Sequence, residues 1–87
     1  MTEHEIVEKL KQAMVEDLAL EDIRPEDIET DIPLFGEGLG LDSIDAAELV
    51  VLVEKYFKVS IVDAEEAQQA FGSVGTLARF IMEKRSE

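Results

Sequence analysis

Ile6, Leu10, Met14 and Leu18 recur four residues apart, with Val7 beside the first of them and mostly polar residues between. That period predicts an amphipathic helix of about four turns. Thr2 and Glu5 supply the spacing of a capping box at its start. The period breaks around Arg24, Pro25, Glu26 and Asp27 and does not resume until about Asp42. The connection is about 20 residues, long enough to be either functional or disordered. Leu20, Ile23, Ile28, Ile32, Leu34 and Phe35 punctuate it, so the expectation is an ordered loop anchored against the helices.

The loop ends in Phe35, Gly36, Glu37, Gly38, Leu39, Gly40 and Leu41. Three glycines in five residues let the backbone adopt positive φ and lie close to its neighbours. A second helix is predicted from Asp42 or Ser43, either of which can be its N-cap, to about Lys58, with Asp45 in the first turn where the helix dipole favours an acid. At 100° per residue, Ala46, Leu49, Val50, Val53 and Phe57 form the stripe expected in the core. Ile44, Ala47, Glu48, Val51, Lys55 and Lys58 fall on the opposite, water-facing side.

Asp63 and Glu66 repeat the capping-box spacing ahead of a short helix ending near Phe71 and Gly72. Ser73 can cap a last helix, in which Val74, Leu77, Ala78, Ile81 and Met82 make the apolar stripe and Lys84 and Arg85 sit where cations are favourable. No segment alternates with the period of a strand, and no repeat or composition shift marks a boundary. The expected fold class is therefore all-α: one domain, residues 1–87, folded as a four-helix bundle of three long helices and one short, with a long ordered loop between the first two.

Composition narrows the function. The 87 residues, 46% of them hydrophobic, are enough for one small core but not for a large catalytic cleft. The longest aliphatic run, Leu49 to Val53, is far short of the roughly 20 residues of a membrane span, and the N-terminus lacks the order of a signal peptide. A soluble cytoplasmic protein that does not insert in membranes is expected. The chain has no cysteine, which excludes disulfides and any thiol of its own. Its net charge is −13, which repels nucleic acids and anionic lipid and favours basic protein partners. From Pro25 to Glu54 there are nine acids and no Lys or Arg.

Ser43 is the residue of interest, at the junction of a glycine-rich turn and a helix whose first N–H groups are free. On the residues alone, a helix N-cap is the favoured reading. A catalytic serine is not: Gly40, Leu41, Asp42, Ser43, Ile44 and Asp45 do not form a G-x-S-x-G elbow, and the one histidine, His4, lies in the first turn of another helix. The glycines lack the Lys-Ser/Thr ending of a phosphate loop. Asp27, Glu29 and Asp31 begin like a calcium loop, but Ile32 and Gly38 stand where glycine and glutamate are needed. No catalytic residue, metal site or enzymatic activity is expected. On the outer face of the second helix, Ile44, Ala47 and Val51 make an apolar strip bordered by Asp45, Glu48 and Glu54. Such strips often mark partner surfaces, though single exposed aliphatics are common and Val51 could tuck under the loop.

The run Gly40-Leu41-Asp42-Ser43-Ile44-Asp45 resembles the acyl carrier proteins, whose signature is Asp-Ser-Leu at the start of the second of four helices. The likeness continues through Glu48 to Glu54, Phe57 and Ile61, the acidic stretch Asp63 to Ala67 and the last helix from Ser73. It implies that Ser43, supported by Asp42, is the attachment point for 4′-phosphopantetheine, delivered from coenzyme A by a Mg²⁺-dependent phosphopantetheinyl transferase. Acyl chains ride on the arm's thiol as thioesters. The implied partners are acyltransferases, ketosynthases or ligases with basic docking patches, which meet Ile44, Asp45, Ala47, Glu48, Val51 and Glu54 of a monomer. The implied setting is fatty-acid, polyketide or related lipid biosynthesis. Ile44 replaces the usual Leu of the signature, and Lys55 and Lys58 stand where housekeeping carriers tend to be acidic. With the lead-in from Pro33 to Leu41, these resemble specialised bacterial carriers. Two alternatives remain: an aminoacyl or peptidyl carrier of nonribosomal peptide synthesis, and an unmodified acidic interaction module in which Ser43 only caps.

Overall fold

The computed structural model describes residues 2–18, 20, 23–36 and 38–85. Among them are four α-helices, α1 (Glu3–Asp17), α2 (Ser43–Phe57), α3 (Ala64–Ala70) and α4 (Val74–Arg85), and a 3₁₀ turn at Pro25–Asp27. The described residues contain no β-strand, only isolated bridges pairing Pro33 with Ser73 and Phe35 with Leu41. The architecture is the all-α bundle of three longer helices and one short one.

Each helix start is set by local chemistry. Thr2 Oγ1 accepts the Glu5 N–H at 3.2 Å and Glu5 Oε1 accepts the Thr2 N–H at 2.9 Å, the reciprocal box expected from the spacing. The same spacing at α3 is only half realised. Asp63 Oδ1 accepts the Glu66 N–H at 2.8 Å, but the Glu66 carboxylate turns to Lys84 of α4, 3.4 Å away. A tertiary partner has outbid the local one. At α4, Ser73 Oγ accepts the Thr76 N–H at 3.1 Å, and Thr30 O in the long loop accepts the Gly75 N–H at 2.9 Å.

One hydrophobic cluster joins the elements. Ile6, Val7, Leu10, Ala13 and Met14 of α1 pack with Leu49, Leu52, Val53 and Phe57 of α2 and with Val74, Leu77, Ala78 and Ile81 of α4. The buried arc of α2 differs from expectation: Leu52 belongs to the core, while Ala46 and Val50 are only half-buried. The arc is rotated toward Leu52, with Val50 packed at the margin of the core and Ala46 lining a cleft.

The long loop is ordered by its own hydrophobic residues. Ile28, Leu34 and Leu41 are buried in the cluster, and Leu20, Ile23 and Phe35 pack against it, whereas Ile32 is half-buried outside the cluster. Each fully buried aliphatic contributes about 1.5–3 kcal/mol, and backbone hydrogen bonds fix the register. Leu34 N–H donates to Gly72 O at 3.2 Å, Leu39 N–H to Pro33 O and Leu41 N–H to Leu34 O, both at 3.0 Å. Gly36 and Gly40 take positive φ of 69° and 73°. Gly38 serves a different need, since a Cβ there would collide with the Pro33 carbonyl. Glu37, counted among the loop acids, lies outside the described residues.

Candidate functional site

The folded-back loop delivers the chain to the start of α2 in a defined orientation. Asp42, extended at φ −114° and ψ −173°, is the N-cap. Its Oδ1 accepts the N–H groups of Ile44 at 3.0 Å and Asp45 at 3.1 Å, and Asp45 Oδ2 accepts the Asp42 N–H at 3.1 Å. The reading of Ser43 as the N-cap, favoured on the residues alone, is corrected: Asp42 is the cap and Ser43 begins the helix, because the Asp42 carboxylate reaches both N–H groups first. The expectation of several free N–H groups is corrected accordingly, because Asp42 occupies two of them.

Ser43 is therefore exposed at the helix mouth, and among the described residues its hydroxyl has no hydrogen-bond partner. Next to it opens a cleft of about 550 Å³, lined by Ser43, Phe35, Ala46, Ala64, Ala67, Gln68 and Phe71. The small side chains of Ala46 on α2 and of Ala64 and Ala67 on α3 leave the space, and Phe35 and Phe71 give it aromatic walls. Apart from Ser43 itself, no motif in the sequence points to these lining residues. They come from the loop, α2, α3 and the turn after α3, so no single period in the sequence links them.

The outer face of α2 is laid out as helical angles require. Ile44 is 70% exposed and Val51 64% exposed, so Val51 does not tuck under the loop. Ala47, Glu48 and Glu54 are exposed beside them, and Asp45 is half-buried by its role in the cap. Lys55 reaches back to Asp17 at 3.8 Å and lies over the Tyr56 ring, 5.1 Å from its centroid.

Among the described residues, no His or basic side chain joins Ser43 at the cleft. His4 lines a separate groove with Glu3, Val7, Thr30, Gly75 and Arg79. Among the described residues no three His, Asp or Glu side chains gather as a metal site, and no helix is long and apolar enough to cross a membrane. Glu5, remote from Ser43, titrates below the ordinary glutamate range, held down first by the Thr2 backbone N–H and then by the Thr2 hydroxyl. The site thus offers an accessible alcohol on a rigid helix end, an adjoining cleft and an apolar, acid-rimmed face.

Comparison with known proteins adds two findings. Residues 8–81 match the family described as the phosphopantetheine attachment site. Over 76 residues the chain is 37% identical to the acyl carrier protein of Wolinella succinogenes, a span that covers 87% of this chain and 92% of that protein.

Proposed function

The chain belongs to the acyl carrier protein family, and from that premise we propose that Ser43 is the residue that bears its 4′-phosphopantetheine. The protein is a carrier and not an enzyme, and the covalent group supplies the thiol that this cysteine-free chain lacks, on which acyl groups are held as thioesters.

One observation carries the assignment to Ser43. Its hydroxyl is exposed at the first residue of α2 and is not consumed in capping, because Asp42 performs that task. An oxygen so placed can be reached by a transferase and esterified without loss of the cap. The surroundings fit a tethered arm: the cleft begins at Ser43 and its lining is largely Ala and Phe. Asp42 acts as a positioning residue, fixing the first turn so that the hydroxyl points outward from a rigid support.

The partner surface follows from the same helix. Ile44, Ala47 and Val51 offer an apolar contact, and Asp45, Glu48 and Glu54 offer the charges that steer basic docking patches of the transferase and of acyltransferase, ketosynthase or ligase enzymes. Residues 1–87 act as one cytoplasmic, monomeric carrier unit. Its cargo is a growing or finished acyl chain of fatty-acid, polyketide or related lipid biosynthesis.

Intact-mass analysis of the carrier isolated from its host tests the cargo. A fatty or polyketide acyl thioester, released by hydroxylamine, is the expected species. An aminoacyl or peptidyl thioester would overturn this reading in favour of peptide synthesis.

A further inference from the structure

The exposed face of α2 does not carry one sign of charge from end to end. Glu48 shares that face with Ile44, Ala47 and Val51, and Asp45 borders it near Ser43, whereas its far end sets Lys55 and the C-cap Lys58 beside Glu54. At 1.5 Å per residue, Lys58 lies about 22 Å from Ser43 along the helix. The two ends are joined by a continuous surface, because Val51, Glu54, Lys55 and Lys58 line a shallow groove of about 450 Å³ that prolongs the apolar strip.

The two lysines differ. Lys55 is tied back to Asp17 and the Tyr56 ring. Lys58 is exposed and, among the described residues, has no ion-pair or ring partner, although Glu54 lies one turn before it. Its backbone is left-handed, φ 60° and ψ 33°, a conformation in which glycine is the unhindered residue. A lysine there sets an uncommitted cation at the rim of the groove. Arg85 of α4 adds a third charge at this end, donating to the Phe57 carbonyl at 3.3 Å.

Resting on the reading of α2 as the docking helix, we propose that this face fits a bipolar partner. Such a partner presents Arg or Lys opposite Asp45 and Glu48, an aliphatic contact over Ile44 and Val51, and an Asp or Glu opposite Lys58. Charge complementarity gives the reason. A uniformly basic patch long enough to cover the strip brings like charges against Lys58 and is penalised, whereas a bipolar patch gains at both ends. The two signs also fix direction, since a partner laid on α2 the other way round meets repulsion at each end. Lys58 is then the specificity-determining residue of the surface.

The test uses the phosphopantetheine-loaded carrier and, as probe, a ketosynthase with a uniformly basic docking patch, alongside the same enzyme with the cation facing the last turn of α2 reversed to Glu. Wild-type carrier should associate several-fold faster with the reversed enzyme at low salt, Lys58→Glu should invert the preference, and high salt should erase it. Equal rates for the two enzymes, or a preference unchanged by Lys58→Glu, overturn the proposal. A dimer of the free carrier at low salt that Lys58→Glu dissolves overturns it as well, by giving the face to a second copy. Intact mass on the same samples separates the two layers. With loading normal, a failed preference removes only the bipolar partner, whereas unloaded wild type removes the attachment at Ser43 and this proposal with it.

Discussion

Asp42 and Asp45 exchange hydrogen bonds across the first turn of α2, each carboxylate accepting the other's backbone N–H at 3.1 Å. Ser43 stands between them with its hydroxyl unused. The division of labour has a measurable consequence. Asp42→Ala should destabilise the fold by about 1 kcal/mol, the usual loss for an N-cap, which lowers the melting temperature by roughly 4–8 °C in a domain of this size. Ser43→Ala should stay within about 0.5 kcal/mol of wild type, as surface changes without a structural role do. Thermal denaturation of the two variants checks this. A larger loss for Ser43→Ala would return the cap to Ser43.

The glycine-rich turn makes a second contrast. Gly36 has left-handed backbone but open space around a would-be Cβ, so Gly36→Ala should cost about 1–2 kcal/mol from backbone conformation alone. Gly38→Ala drives a methyl into the Pro33 carbonyl, which must break the Leu39 N–H to Pro33 O bond or displace the loop. Its cost should reach the upper part of the ~1–3 kcal/mol range of forced overpacking, with slower modification of Ser43 as the loop moves. Denaturant unfolding and the rate of transferase loading measure the two effects. Equal losses at both positions would contradict the close approach.

Helix starts, the core of α1 and the outer face of α2 were legible in the sequence because each depends on residues three or four apart. Thr2 with Glu5, Ile6 with Leu10 and Met14, and Ile44 with Ala47 and Val51 are all of this kind. What was not legible depends on elements distant in sequence. Leu52 lies in the core and Ala46 lines the cleft, a rotation of α2 set by its packing on α1 and the other elements. Glu66 abandons its capping box for Lys84, eighteen positions later. Phe35, Ala67 and Phe71 meet beside Ser43 by folding alone. The residues alone favoured Ser43 as a cap, yet Asp42 takes that role, since which of two adjacent capping side chains reaches the first N–H groups is set by how the loop delivers the chain to α2.

The acid box of α1 predicts a pH dependence. Glu5 is held below its ordinary pKa by the Thr2 N–H and hydroxyl, so its charged form is favoured in the fold. The stability it adds is present above the unfolded value, about 4.3, and is lost as pH falls through the lower folded value. Glu5→Gln imitates the protonated side chain. Wild type should therefore exceed Glu5→Gln in stability near pH 7, and the difference should vanish under strongly acid conditions. A difference that persists at every pH would contradict the linkage.

Docking should carry an electrostatic signature. Glu48 is exposed beside the Ile44–Val51 strip, so Glu48→Lys should slow association with a transferase mainly through the on-rate. Raising ionic strength from about 0.01 M to about 0.15 M shortens the screening length from roughly 30 Å to 8 Å, and should bring the wild type toward the mutant. Stopped-flow association at the two salt levels reads this directly. Salt-independent rates would count against steering by the acidic rim.

The central claim concerns one oxygen, and mass spectrometry tests it most directly. The chain is incubated with coenzyme A, Mg²⁺ and a broad-specificity phosphopantetheinyl transferase, then analysed intact and after digestion. The wild type should gain a single phosphopantetheine, located on the peptide that contains Ser43, and Ser43→Ala should gain none. No addition to wild type, or equal addition to Ser43→Ala, would contradict the account.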